Sequence, residues 1–194
     1  QLCLQLAANL LKTDSKAKVL FICTQERFSI DRMVSFLGDE NSSLLDRIHV
    51  EYFLDPEVEL HFFRFVIHNL MNEFKYSLII YDGIASNTRN IDNVFQKAEN
   101  LYNILFSFRY IFLTHSVCVV LTNQISDVPN DLEAESIKVS ALGLTLENNV
   151  NIKIQVERCK IKNERIITLK KSLYTPLLSD RFIISDKHLK GCCE

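Results

Sequence analysis

The sequence predicts an α/β fold, a mainly parallel central sheet flanked by helices, with an antiparallel β extension at its C-terminal end. Four short and mainly apolar runs, 19–24, 48–53, 76–81 and 117–122, alternate with segments whose apolar residues recur at helical spacing. Strands buried on both faces read as continuous apolar runs, as a parallel sheet covered by helices on each side requires. After Asn149 the pattern changes: 151–160 and 165–173 alternate apolar with polar residues around a polar turn at 162–164. Four Gly and three Pro in 194 residues leave little room for a linker, so 1–194 reads as one domain and 150–194 as its β extension.

Each element has a local cause. Residues 2–11 form an amphipathic helix pattern, and the chain opens inside it without a Met, so it reads as a fragment whose preceding element is missing. The strand 19–24 follows, then a helix over 30–37 with Ser29 as its N-cap. The strand 48–53 leads to a helix over 58–74, and the strand 76–81 delivers Asp82. A long helix over 92–114 and the strand 117–122 complete the parallel part, and Arg181–Ile184 adds a short strand to the extension. The run 104–121 is apolar, but Arg109 and His115 interrupt it, and a helix followed by a buried strand explains it better than a membrane span.

Composition narrows the function. The six cysteines show neither zinc-ligand spacing nor a disulfide framework, which points to a reducing compartment. Residues 1–149 carry 12 Lys and Arg against 19 Asp and Glu, a net of −7, whereas 150–194 carry 10 against 5, a net of +5. Phosphate contacts supply most non-specific affinity for nucleic acid, so this balance argues against an autonomous DNA binder. The basic C-terminal quarter is either a solvated surface or a face toward DNA or an acidic partner.

In open α/β sheets, ligands bind beyond the carboxyl ends of the strands. Three such ends are polar here: Thr24-Gln25-Glu26, Asp82 after "YSLIIY", and Thr122-Asn123-Gln124 after "VCVVL". An Asp ending an apolar strand suits a phosphate-binding fold that holds Mg²⁺, usually through water, although Asp is also a common turn former and helix cap. A carboxamide at Gln124 can sense a terminal phosphate or cap the following loop. No GxGxxG follows a strand, which disfavours an unrelated nucleotide-binding enzyme such as a dehydrogenase.

The ordered set of motifs resembles a known family. "QLCLQLA" is similar to the helix after the phosphate-binding loop of eukaryotic and archaeal RecA-type recombinases, and "FICTQERFSIDRM" to their second strand and following helix. "LIIYDGIA", "VVLTNQI" and "ALGLTLENNVNIKI" resemble, in order, their metal-Asp strand, their sensor strand and the segment after the second DNA loop. "SLYTPLLSDRFIISDKHLKG" is similar to the closing stretch, with Pro176, Phe182, Ile184 and Gly191 in register. The likeness is strongest to the recombinase paralogues of the X-ray-repair cross-complementing type and spans nearly the whole chain.

The resemblance implies a RecA-like P-loop NTPase core in a nuclear DNA-repair protein. It would bind ATP and Mg²⁺ and act with other paralogue or recombinase subunits on single-stranded or branched DNA, chiefly as a complex and without a membrane. Asp82 matches the Mg²⁺-supporting aspartate, Gln124 the glutamine linking the terminal phosphate to the DNA loop, and Arg32 an arginine packing near the adenine. Arg89 matches the root of the first DNA loop, and 126–140, with Lys138, the second.

The departures are as informative as the matches. Gln25 stands where the family has the glutamate that orients the attacking water, and a carboxylate follows one residue later as Glu26. Successive strand residues face opposite ways, so Glu26 inherits that role only through a bulge, and a carboxamide cannot act as a base. The simpler reading is that Gln25 caps the next helix. The phosphate-binding loop is not among these residues, Leu146 stands where an aromatic is expected, and the second loop holds Asp127, Asp131, Glu133 and Glu135 against Lys138. These features favour a paralogue that hydrolyses ATP weakly or not at all and supports recombinase filaments in homologous recombination. The alternative is an active DNA-dependent ATPase that exchanges strands itself.

Overall fold

The computed structural model describes residues 1–89, 91–128, 137–159, 163–186 and 188–192. Its centre is a parallel sheet of β1 (Val19–Cys23), β2 (Ile48–Tyr52), β3 (Leu78–Asp82) and β4 (Cys118–Leu121), in the order β2-β1-β3-β4. The register sets Cys23 beside both Tyr52 and Asp82, so the carboxyl ends of three strands finish level.

Alternation along β1 and β3 divides the core between the two faces of the sheet. Val19, Phe21, Cys23, Leu78 and Ile80 pack under α1 (Leu2–Thr13) and α2 (Ile30–Leu37). Leu20, Ile22, Ile79 and Tyr81 pack on the opposite face against α3 (Pro56–His61), a π-helical turn (Phe62–Val66), α4 (Ile67–Phe74) and α6 (Val94–His115). Every residue of β1 is buried, as expected for a strand covered on both sides. Asn87 and Thr88 of the short α5 (Ala85–Arg89) are also buried, close to the end of β3.

Local chemistry sets the helix ends. Ser29 Oγ accepts from the Arg32 N–H and starts α2 at the expected residue. Asn93 Oδ1 accepts from the Phe95 and Gln96 N–H groups, so α6 begins two residues later than the apolar pattern implies. Lys75 and Ser116 close α4 and α6 in the left-handed region at φ 50° and 52°, without the glycine that usually marks such a stop.

The antiparallel extension forms as expected, but as a sheet of its own rather than as strands added to the parallel sheet. Its order is β10-β9-β8-β7, from β7 (Lys153–Arg158), β8 (Arg165–Lys171), β9 (Ser179–Ile184) and β10 (Leu189–Gly191). Among the described residues no ladder joins β4 to β7, and the outer edge of β4 carries no partner strand. The segment expected as a loop over 126–140 contains the antiparallel pair β5 (Ile125–Val128) and β6 (Ile137–Ser140), followed by α7 (Gly143–Asn149). Cys3, Cys23, Cys118 and Cys192 are free thiols, and no described helix is long and apolar enough to cross a membrane.

Candidate nucleotide and DNA site at the strand ends

The three polar strand ends meet. Thr24, just past β1, gives its hydroxyl to the carbonyls of Gly83 at 2.7 Å and Asp82 at 3.2 Å, tying β1 to β3. Gly83 permits this approach: its φ is +96°, and a Cβ there would lie 2.7 Å from Thr24 Oγ1 and 2.9 Å from Ser86 Oγ. From the β4 side, the Thr122 hydroxyl accepts from the Gly83 N–H at 2.8 Å and donates to Asp82 Oδ1 at 2.6 Å. The Asp82 side chain is therefore oriented but exposed at the sheet's carboxyl edge.

Above this floor runs a chain of side-chain contacts. Arg89 Nη1 donates to Gln124 Oε1 at 2.6 Å, and Gln124 Nε2 donates to Gln25 Oε1 at 2.7 Å. The Gln25 carbonyl accepts from the Tyr52 hydroxyl at 3.3 Å. Gln25 thus bridges the ends of β1, β2 and β4 instead of capping α2, a role that belongs to Ser29.

Glu26 stands apart. β1 ends at Cys23 and the chain bends over 24–26, so the alternation that opposes Gln25 to Glu26 along a strand no longer applies there. The Glu26 side chain is exposed and makes no hydrogen bond among the described residues.

Arg32 also lies outside the strand-end network. Its guanidinium donates to the carbonyls of Ser185 (2.6 Å) and Asp186 and to Gln1 Oε1 (3.1 Å), and it stacks 4.4 Å over the Phe36 ring. It joins α2 to the turn between β9 and β10. Lys138 sits on β6 opposite Asp127 in the register, and its side chain lies outside the described parts. Asp131, Glu133 and Glu135 lie outside the described residues. The Gln124 carbonyl accepts from the Ala141 N–H at 3.0 Å, so the β5–β6 pair is rooted directly on the strand-end network.

Two buried thiols lie close enough to Asp82 to feel it. Burial pushes the Cys3 thiol up to about 11 and the Cys23 thiol up to about 12, and in both cases the nearby Asp82 charge adds to the rise. Asp82 therefore lies within electrostatic reach of the first turn of α1, and burial disfavours the nucleophilic thiolate at both cysteines.

A buried group that sequence reasoning missed lies beneath. Glu59 of α3 is 2 % exposed; its carboxyl accepts from the Tyr81 hydroxyl and, at 3.1 Å, from Asn87 Nδ2. Burial raises its pKa, and these two hydrogen bonds oppose the rise. A Glu in the first turn of a predicted helix gives no sequence signal of burial.

The residues present fit a magnesium nucleotide in part. Asp82 offers an anionic oxygen, and the carboxamides of Gln25 and Gln124 offer donors and acceptors for phosphate oxygens or water. No group of three or more His, Cys, Asp and Glu among the described residues can hold a metal unaided. A cation here would therefore share Asp82 with ligands from elsewhere, as a phosphate-bound Mg²⁺ does.

No protein-family model matches this chain. The chain is similar to the DNA repair protein rhp57 of Schizosaccharomyces pombe, with 22 % identity over 243 residues covering 99 % of this chain and 69 % of that protein. The likeness runs along essentially the whole of this chain and about two thirds of that protein.

Proposed function

We propose that this chain is the core of a nuclear recombinase-paralogue subunit that binds ATP with Mg²⁺, hydrolyses it weakly or not at all, and supports recombinase filaments during homologous repair. What supports the proposal is Gln25: a carboxamide hydrogen-bonded to Gln124 just past the end of β1, at the position where the resemblance implies a carboxylate in a hydrolytic member. Bound Mg²⁺–ATP would supply the phosphoryl group and the charge that holds it. For their part, Asp82 would hold the cation, Gln124 would contact the terminal phosphate, and Gln25 would position water without removing its proton. Gln124 is also hydrogen-bonded through its backbone to Ala141, just after β6, which gives nucleotide binding a short route to a DNA-contacting hairpin. Other paralogue or recombinase subunits, and single-stranded or branched DNA held by the complex, are the partners this reading implies.

The test is Asp82→Ala in the full polypeptide. Titration calorimetry with ATP in the presence and absence of Mg²⁺ is expected to show magnesium-dependent tightening in the parent protein and at least a tenfold loss of it in the variant. Equal magnesium-dependent affinity in the two proteins removes Asp82 from the site.

A further inference from the structure

The contacts at the strand ends close into a ring anchored by a buried amide. From Gln25 the ring runs through the Tyr52 hydroxyl to the end of β2, where the Phe53 carbonyl accepts from Asn87 Nδ2 at 3.2 Å. Asn87 shares α5 with Arg89, which returns to Gln25 through Gln124. The hydrogen bonds linking Tyr52, Gln25, Gln124 and Arg89 are exposed, but Asn87 is 2 % exposed. Its two amide hydrogens are both committed, one to Phe53 and one to Glu59.

We propose that Glu59 is the positioning residue of this site, fixing α5 through Asn87 so that Arg89 meets Gln124. A five-residue helix has too few internal hydrogen bonds to hold its own orientation, so its side-chain anchors decide where its last residue points. Glu59 supplies the needed acceptor on the core side. Oε1 is taken by Tyr81, directly before Asp82, and Oε2 faces Asn87, so the same carboxyl braces the strand bearing Asp82 and the helix bearing Arg89. A hydrophobe at this position would leave the Asn87 N–H unpaired inside the core, and burying an unpaired donor is unfavourable enough to turn α5 outward. The inference deepens the nucleotide-site reading and rests on it for its purpose, though not for its geometry.

The experiment follows the Gln124 side-chain carboxamide by ¹⁵N–¹H correlation NMR in the full polypeptide without nucleotide. Arg89→Ala defines the shift produced by loss of the contact. Glu59→Ala is expected to move the Gln124 resonances at least half as far. Glu59→Gln is expected to leave them near the parent position, because a Gln amide can turn its oxygen to Asn87 and its N–H₂ to the Tyr81 oxygen. Asn87→Ala tests the same link from the other side, should Glu59→Ala not fold. A core control, Ile104→Val, is expected to leave the signal in place. The proposal is overturned if Glu59→Ala and Asn87→Ala leave Gln124 unmoved, or if Ile104→Val moves it as far. Nucleotide titration of the same samples separates the two readings, because a parent protein that fails to bind Mg²⁺–ATP sinks the proposed function while the Gln124 shifts still judge Glu59.

Discussion

Gln25→Glu is expected to raise ATP turnover by a factor approaching the ~10²–10⁴ that general-base catalysis contributes. The replacement keeps the side chain's length and the acceptor that Gln124 Nε2 now meets at 2.7 Å, so the strand-end geometry persists. What changes is the capacity to take a proton from water, which a carboxamide lacks. Glu26→Gln is expected to change turnover little, since that side chain is exposed in the bend and outside the hydrogen-bonded chain. The rates are to be measured in the full polypeptide with DNA and its usual partner subunit present. Should Glu26→Gln abolish hydrolysis while Gln25→Glu does nothing, Glu26 is the base and the weakened-ATPase reading fails.

Phe63→Ala is expected to cost about 3–5 kcal/mol of folding stability, the usual range for deleting a buried aromatic ring. Phe63 is fully buried, with ring centroids 5.0 Å from Phe108, 5.5 Å from Phe62 and 5.6 Å from Tyr81. It lies in the π turn between α3 and α4, and its carbonyl accepts from the buried Ser107 hydroxyl at 2.9 Å, so α6 is fastened there as well. Urea unfolding of the variant is the measurement, and a loss below about 1 kcal/mol would show that the surrounding rings collapse into the space.

Much of the fold was legible because apolar runs on β1 and β3 leave a parallel, doubly covered sheet as the arrangement that buries them. The start of α2 was legible because Ser29 caps it locally. The start of α6 was displaced because Asn93, not the apolar period, sets it. The β5–β6 pair escaped notice because its acidic, turn-rich sequence reads as a loop, and β10 because three residues give no period.

Of the site, the sequence showed which strand ends are polar, and the structure brings Gln25, Asp82 and Gln124 to one edge with Arg89. It did not show Arg32 pinned to the carbonyls before β10, nor Glu59 and Asn87 buried beneath. Those placements depend on contacts between residues 22 to 154 positions apart, which no local pattern encodes.

Among the described residues the side of β4 away from β3 carries no strand, and this has a practical meaning. Cys118-Val119-Val120-Leu121 presents a row of backbone donors and acceptors along an edge with no charged side chain, whereas β2 carries His49 and Glu51 and β7 carries Lys153, Glu157 and Arg158. Charge on an edge strand repels a second sheet, and its absence invites one. A further strand, whether from a longer polypeptide or from a second copy, meets no charged side chain along that edge.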